Sequence, residues 1–337
     1  MKFIFFKNKV GFNQESFTQE MAMEIEEKST ILYHGNCIDG WFSAYIAQSA
    51  LGPKGPVQMF AISPNQPATW PTSQELSGTH IYLVDISVPS EYRDKWLIAG
   101  ALSIECIDHH ATSIEHWPAD ANPIDVTMCA ALQVWHFFYP GTLVPGWLLA
   151  VDRIDRWTDV TDQDRCLREI MSIIAHKPLN GKLEEALADT LKFIEDMNDM
   201  NMTMMYLQQG FTILAQKDAA LLQILGTGHM VDITTDVQLG WNLPATWIGR
   251  KLFTLDNSRT SIDTTEAAHL VFMHHPEISI FVNYRKQPAR GKGKPRIIYS
   301  ARARELDITI GTFLRGHPSA AGACIEVDAS MILPFVL

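Results

Sequence analysis

The sequence predicts a two-domain α/β protein: a parallel-sheet domain with a helical extension, then a smaller α+β domain joined to it by a linker helix. Three observations carry this. Short apolar runs end abruptly at polar or acidic residues: Thr30–His34 at a histidine, Ile81–Val84 at Asp85, and Leu102–Ile107 at Asp108. Helical stretches alternate with these runs, the pattern of a parallel sheet covered by helices. The composition then shifts after Gly226-Thr227-Gly228, from helical to alternating patterns. At 337 residues the chain is long enough to bury two cores.

In order, residues 1–29 are read as an N-terminal extension. Thr30–His34 is a strand, Gly35–Gly40 a polar loop, and Trp41–Ala50 a helix. Val57–Ala61 is a second strand, Ile81–Val84 a third, Glu91–Ala99 a helix, and Leu102–Ile107 a fourth strand. Asp125–Phe138 and Gly146–Arg153 read as helices, and about 163–226 as mostly helical. The Met-rich Met197–Met205 is read as packing. The domains are placed at 30–200 and 229–337, with the linker helix at 201–228. In the second domain, Lys251–Leu255, Ile278–Tyr284, Arg296–Ala301 and a stretch near Cys324–Val327 are strands, and Asp307–Leu314 is a helix.

Composition narrows the function classes. Hydrophobic content of 47% and charged content of 19% are those of a soluble globular chain, and no apolar run is long enough to span a membrane. Five scattered cysteines without C-x-x-C spacing argue for reduced thiols in an intracellular, cytoplasmic setting. A net charge of −11 argues against coating long nucleic acids, while leaving room for a small anion held locally.

The chemistry concentrates at predicted strand ends, where ligands sit in open α/β sheets. His34, Asp39, Asp85, His109 and Asp152 come from separate elements, and mixed carboxylate and imidazole donors suit Mn2+, Mg2+ or similar ions. The blander reading makes each aspartate a helix N-cap. Arg153, Asp155 and Arg156 crowd Asp152 and read as a salt-bridged helix end, with Arg153 also within reach of a phosphate. Cys106 reads as a core thiol and His274-His275 as a helix end. Arg285–Arg304 holds eight basic residues and no acidic one, either an anion-binding lip or a solvated hairpin. Tyr284 and Tyr299 beside it read as core strand residues.

Taken together, HGNCIDG at His34–Gly40, Asp85 in LVDIS, Asp108-His109-His110, Asp152 in VDRID and RGHPSAAG at Arg315–Gly322 resemble the ordered motifs of the DHH phosphoesterase superfamily. The resemblance spans roughly residues 30–327. It implies a DHH catalytic domain, a C-terminal substrate-binding domain and two divalent ions, Mn2+ or alternatively Mg2+ or Co2+. By the same resemblance His34 ligates one ion, Asp39, His109 and Asp152 ligate the other, and Asp85 bridges them. His110 assists the leaving oxygen and Asp108 supports the site, while Arg302, His317 and the backbone around Gly316 contact substrate. Read from the residues themselves, Arg153 and Arg315 are further candidates for a phosphate contact, Arg315 with a solvent-facing position as its alternative. The implied activity is hydrolysis of phosphodiester or terminal phosphate bonds in short nucleotides or oligonucleotides, as by oligoribonucleases or exonucleases. A phosphoanhydride (polyphosphate) hydrolase and a catalytically weak nucleotide-binding protein are the alternatives. No membrane partner is expected, and the Met- and Leu-rich helices leave room for a homodimer. Two departures stand out: Cys37 occupies the place of a frequent aspartate, and Arg315 that of the first glycine in GGH.

Overall fold

The computed structural model describes residues 28–35, 37–64, 66–115, 117, 124–260, 262–289, 294–304 and 320–326. These form two compact units, divided between Thr203 and Met204. The predicted fold class holds: a parallel α/β sheet in the first, and a smaller α+β sheet in the second.

In the first unit, β1 (Ser29–His34), β2 (Val57–Ile62), β3 (His80–Val84) and β4 (Ser103–Ile107) form a sheet of order β2-β1-β3-β4, parallel throughout. Successive side chains point to opposite faces, so register sorts them. Leu32, Ile81, Leu83 and Cys106 pack one face against Trp70, α2 (Ser73–Leu76) and Trp96 of α3 (Ser90–Ile98). From the other face Tyr33 meets Trp41 of α1 (Ile38–Leu51), and Tyr82 meets Phe138 of α4 (Ala130–Phe138). Beyond α1 lie α5 (Gly146–Arg156), α6 (Asp162–Ala175) and α7 (Leu183–Asp196), where Phe42 contacts Trp147 and Phe193. Trp41 is fully buried and its indole donates to Thr190 at 2.9 Å. Burying such a side chain contributes about 2–3 kcal/mol.

Parallel strands place all their carboxyl ends at one edge, so His34, Asp85 and Asp108 emerge together. The helix predicted from Asp125 begins only at Ala130, because the Asp125 carboxylate accepts from the amide and hydroxyl of Thr127. That local turn competes with helix. The helix predicted to end at Arg153 runs on to Arg156 and stops where Trp157 turns left-handed, at φ 52°.

Helix α8 (Met200–Leu225) leads into the second unit, which holds β5 (His229–Asp232), α9 (Thr235–Trp241), β6 (Lys251–Asp256), α10 (Thr264–His274), β7 (Ile280–Gln287), β8 (Arg296–Ala303) and β9 (Ala320–Glu326). Its sheet has the order β5-β6-β7-β8-β9, antiparallel except between β6 and β7. One face packs Val282, Tyr284 and Tyr299 against Trp247, and the other packs Phe253 and Phe281 against Leu221, Leu270 and Val271. Tyr284 and Tyr299 are therefore core, as expected. β5, α9 and α10 were not read from the sequence; α10 starts where the Asp263 side chain accepts from the amides of Thr265 and Glu266. His274 ends α10, as predicted. The predicted N-terminal extension up to residue 27, the helix at 307–314 and the loop at 290–293 lie outside the described residues. Among those described, no helix is long and apolar enough to cross a membrane.

Candidate metal centre

β1 ends at His34, and α1 begins three residues beyond Gly35, so His34 and Asp39 flank one tight strand-to-helix passage. Gly40 makes this passage possible: a Cβ there would overlap the His34 carbonyl oxygen and lie 3.1 Å from Asp85 Oδ2. β3 ends at Val84, and the amide of the next residue, Asp85, continues the ladder by donating to Ile107 O at 3.0 Å. Asp85 itself sits at φ 57°, a left-handed conformation that aspartate tolerates better than most residues.

Asp85 is 1% exposed, and each carboxylate oxygen faces a different imidazole. Oδ2 lies 3.3 Å from His34 Nδ1, and Oδ1 lies 3.3 Å from His109 Nε2. His109 Nε2 is also 3.4 Å from Asp155 Oδ2 and 3.7 Å from Asp39 Oδ2. Both oxygens of Asp85 and Nε2 of His109 are buried yet make no hydrogen bond among the described residues. Buried polar atoms left this way are costly unless something else satisfies them.

The charge pattern follows. Burial opposes ionisation of Asp85, but His109 and His34 outweigh it and hold the carboxyl well below its usual range. Burial likewise opposes a charged His109, yet Asp85, Asp155 and Asp39 push its pKa up to about 10. Burial, with Asp85 adding to it, pushes Asp155 up to about 6. Burial, Asp85 and Asp155 push Asp39 up as well. Several carboxylates around one imidazole leave an excess of negative charge that a cation relieves.

Other groups hold this cluster in place. Asp39 Oδ2 and Oδ1 accept from the amides of Ala130 and Ala131 at 2.8 Å each, at the N-terminus of α4 where the helix dipole favours an anion. Asp108 Oδ1 accepts from the His109 amide at 2.8 Å and contacts His110 Nδ1 at 2.7 Å, and its Oδ2 accepts from Ser113. The Asp108 contact occupies Nδ1 of the His110 ring, so Nε2 is the nitrogen turned away from it. His110 is raised from its ordinary pKa: burial opposes this, and Asp108 outweighs it.

Two sets of three donors emerge that share the surroundings of Asp85: His34, Cys37 and Asp85, and Asp39, His109 and Asp155. Within each, the donor atoms lie within 4.8 Å of one another. A third grouping of this kind joins Asp85, Asp108, His109 and His110. Carboxylates and imidazoles at such spacing fit divalent ions of the Mn2+, Mg2+ and Co2+ kind.

The structure therefore brings His34, Asp39, Asp85, Asp108, His109 and His110 together as the sequence suggested. It corrects two assignments. Asp152 does not join the cluster: its carboxylate is held by the Arg156 guanidinium and the Cys129 amide, and Asp155, one turn on, faces His109 instead. Arg153 is not presented to a phosphate, because its guanidinium forms a two-bond fork with Asp164, which also caps α6. An arginine fork so occupied is a structural clamp. Cys106 is 1% exposed and is the expected core thiol. In the second unit, Arg302 donates to Ala301 O and Thr265 Oγ1, both at 2.9 Å. Arg315, Gly316 and His317 lie outside the described residues.

No protein-family model matches the chain, and no curated protein matches it. Among solved structures it is similar to RecJ in complex with Mn2+ from Thermus thermophilus, at 14% identity and TM-score 0.45, over 94% of this chain and 52% of that one. It is similar to the pGpG-specific phosphodiesterase PggH from Vibrio cholerae, at 12% identity and TM-score 0.44, over 89% and 93%. It is also similar to an exopolyphosphatase-related protein from Bacteroides fragilis, at 11% identity and TM-score 0.45, over 94% and 91%.

Proposed function

We propose that this chain is a DHH-type, divalent-metal-dependent phosphoesterase that hydrolyses short nucleotides or oligonucleotides. The observation that carries the reading is Asp85: a buried carboxylate with no hydrogen bond to either oxygen among the described residues, set between His34 and His109. That is the arrangement a carboxylate shared by two cations needs. When bound, Mn2+, Mg2+ or Co2+ would supply positive charge to the phosphate and acidify an attacking water. His34 and Asp85 would hold one ion, and Asp39, His109, Asp155 and Asp85 the other. His110 Nε2 would pass a proton to the leaving oxygen, while Asp108 fixes the ring and keeps the proton on Nδ1. Arg302, with Gly316 and His317, is proposed as a substrate contact on the strength of the motif resemblance, and Arg315, where the motif has glycine, as a further phosphate contact. The basic stretch Arg285–Arg304 in an otherwise acidic chain favours a short anionic substrate.

The test is product analysis with purified protein and Mn2+, offering a labelled RNA dinucleotide, a longer single strand and polyphosphate side by side. Faster loss of the dinucleotide, abolished by Asp85→Ala, is the expected result. Hydrolysis of polyphosphate alone would transfer the reading to phosphoanhydrides, and Mn2+-independent activity retained by Asp85→Ala would end it.

A further inference from the structure

The two halves of the centre differ in one chemical respect. Asp39, His109 and Asp155 offer only oxygen and nitrogen, whereas His34 and Asp85 are joined by the sulfur of Cys37. The three donor atoms of this second set lie within 4.8 Å of one another. Its other members point the same way: Asp85 is buried, its oxygens lack hydrogen bonds among the described residues, and Oδ2 faces His34. Helix capping is a weak reason for the cysteine. Cys37 is the N-cap residue of α1, at φ −133° and ψ 141°, and its side chain makes no capping hydrogen bond. Serine, aspartate or asparagine would cap the helix better, so the weak approach of the Gly40 amide to the sulfur is a poor reason for a cysteine here.

Ligand softness supplies an explanation. Sulfur favours borderline, thiophilic ions, while carboxylate-rich sets suit Mn2+ and Mg2+. Resting on the two-ion reading above, we propose that His34, Cys37 and Asp85 form a thiolate half-site for a Zn2+-like ion (Zn2+, Co2+ or Fe2+), and that the centre is loaded with two different metals. The harder ion occupies Asp39, His109 and Asp155, and Asp85 is shared. Binding forms a metal–sulfur bond at Cys37 and releases the thiol proton to solvent, with no change of oxidation state. Cys37 is thus a selectivity residue: it decides which cation enters one half of the pair.

Cobalt makes the test direct, because a thiolate ligand gives Co2+ a near-ultraviolet charge-transfer absorption that oxygen and nitrogen ligands do not. Chelator-stripped full-length protein is titrated with Co2+ and, separately, with Zn2+ and Mn2+, following absorbance and bound stoichiometry. The expected result is the sulfur band in the native protein and its loss in Cys37→Ser, whose other four cysteines are intact. Zn2+ affinity should fall by on the order of ten-fold or more in the same variant. Cys37→Asp should bind Mn2+ in both halves without the band. Circular dichroism checks that both variants are folded. Two bound Co2+ ions without a sulfur band, or a band that survives in Cys37→Ser, would overturn the thiolate half-site while leaving the two-ion reading standing. Failure of every one of these ions to bind would overturn both.

Discussion

Asp155 and Asp152 lie one turn apart on α5 and face different partners: Asp155 Oδ2 is 3.4 Å from His109 Nε2, while Asp152 is gripped by Arg156. The two aspartates should therefore fail in different ways. Asp155→Asn should lower divalent-ion affinity by on the order of ten-fold or more with little change in melting temperature. Asp152→Asn should cost about 1–3 kcal/mol of stability, because the Arg156 fork and the Cys129 amide both lose an ionised acceptor. Calorimetric metal titration and denaturant unfolding of both variants check this. The reverse pattern would return Asp152 to the metal.

Asp108→Asn should separate positioning from metal binding. The substitution removes the charge that keeps the His110 proton on Nδ1 and turns the ring. We expect kcat to fall by about 10²–10⁴, with KM and ion stoichiometry nearly unchanged, and His110→Ala to fall by a similar factor. A double variant no worse than either single one would show that the pair acts as a unit. Additive losses would separate them.

In the chelator-stripped protein the titration of His109 should set the alkaline limit of stability. Its folded pKa of about 10 lies above the ordinary histidine value of about 6.5. The folded state then holds a proton that the unfolded chain has lost, so this contribution is full below about 6.5 and disappears as pH rises through 10. The raised Asp155 acts in the same sense at lower pH, from about 4 to about 6. Melting temperature of stripped protein should therefore fall between pH 7 and pH 9. Saturating divalent ion should widen its advantage over that interval, since cations and protons compete for the same atoms. A stripped protein equally stable at both pH values would contradict the ion-rich cluster.

Gly40→Ala should damage the centre without touching a ligand. The added methyl would collide with the carbonyl of His34 and crowd Asp85 Oδ2 at 3.1 Å, so β1 and α1 must separate. The expected cost is about 1–3 kcal/mol, together with a larger loss of ion affinity at the His34 half than at the His109 half. Unfolding curves and ion titration read the two effects separately.

Much of this was legible in the chain. Short apolar strands ending in polar residues marked β1, β3 and β4, and parallel pairing made their ends converge, which is why His34, Asp85 and Asp108 could be grouped without coordinates. The Asp152 assignment failed for a geometric reason. In VDRID, two aspartates three residues apart sit on nearly the same helix face, so spacing alone does not say which one turns inward. The deciding signal was present: Arg156 stands four residues after Asp152, the spacing at which a helical ion pair forms. For Arg153 the salt-bridged reading holds and the phosphate contact does not, and its partner Asp164 lies on the next helix, where spacing within VDRID gives no sign of it. The amides of Ala130 and Ala131 carry no side-chain signature, and only the packing of α4 against α1 brings them to Asp39.

That last contact also orders events during folding. Asp39 belongs to the first turn of α1, yet its two acceptors are satisfied by amides about ninety positions later in the chain. Until α4 docks, the carboxylate is an unneutralised charge at the start of a helix whose body is apolar. Closure of that long loop must come before the centre can exist, because loop-closure entropy is met before the contacts that reward it. Amide exchange at Ala130 and Ala131 should accordingly track the global opening of the first unit rather than local fraying. A cation bound among these residues then reports that the whole chain between them has found its place.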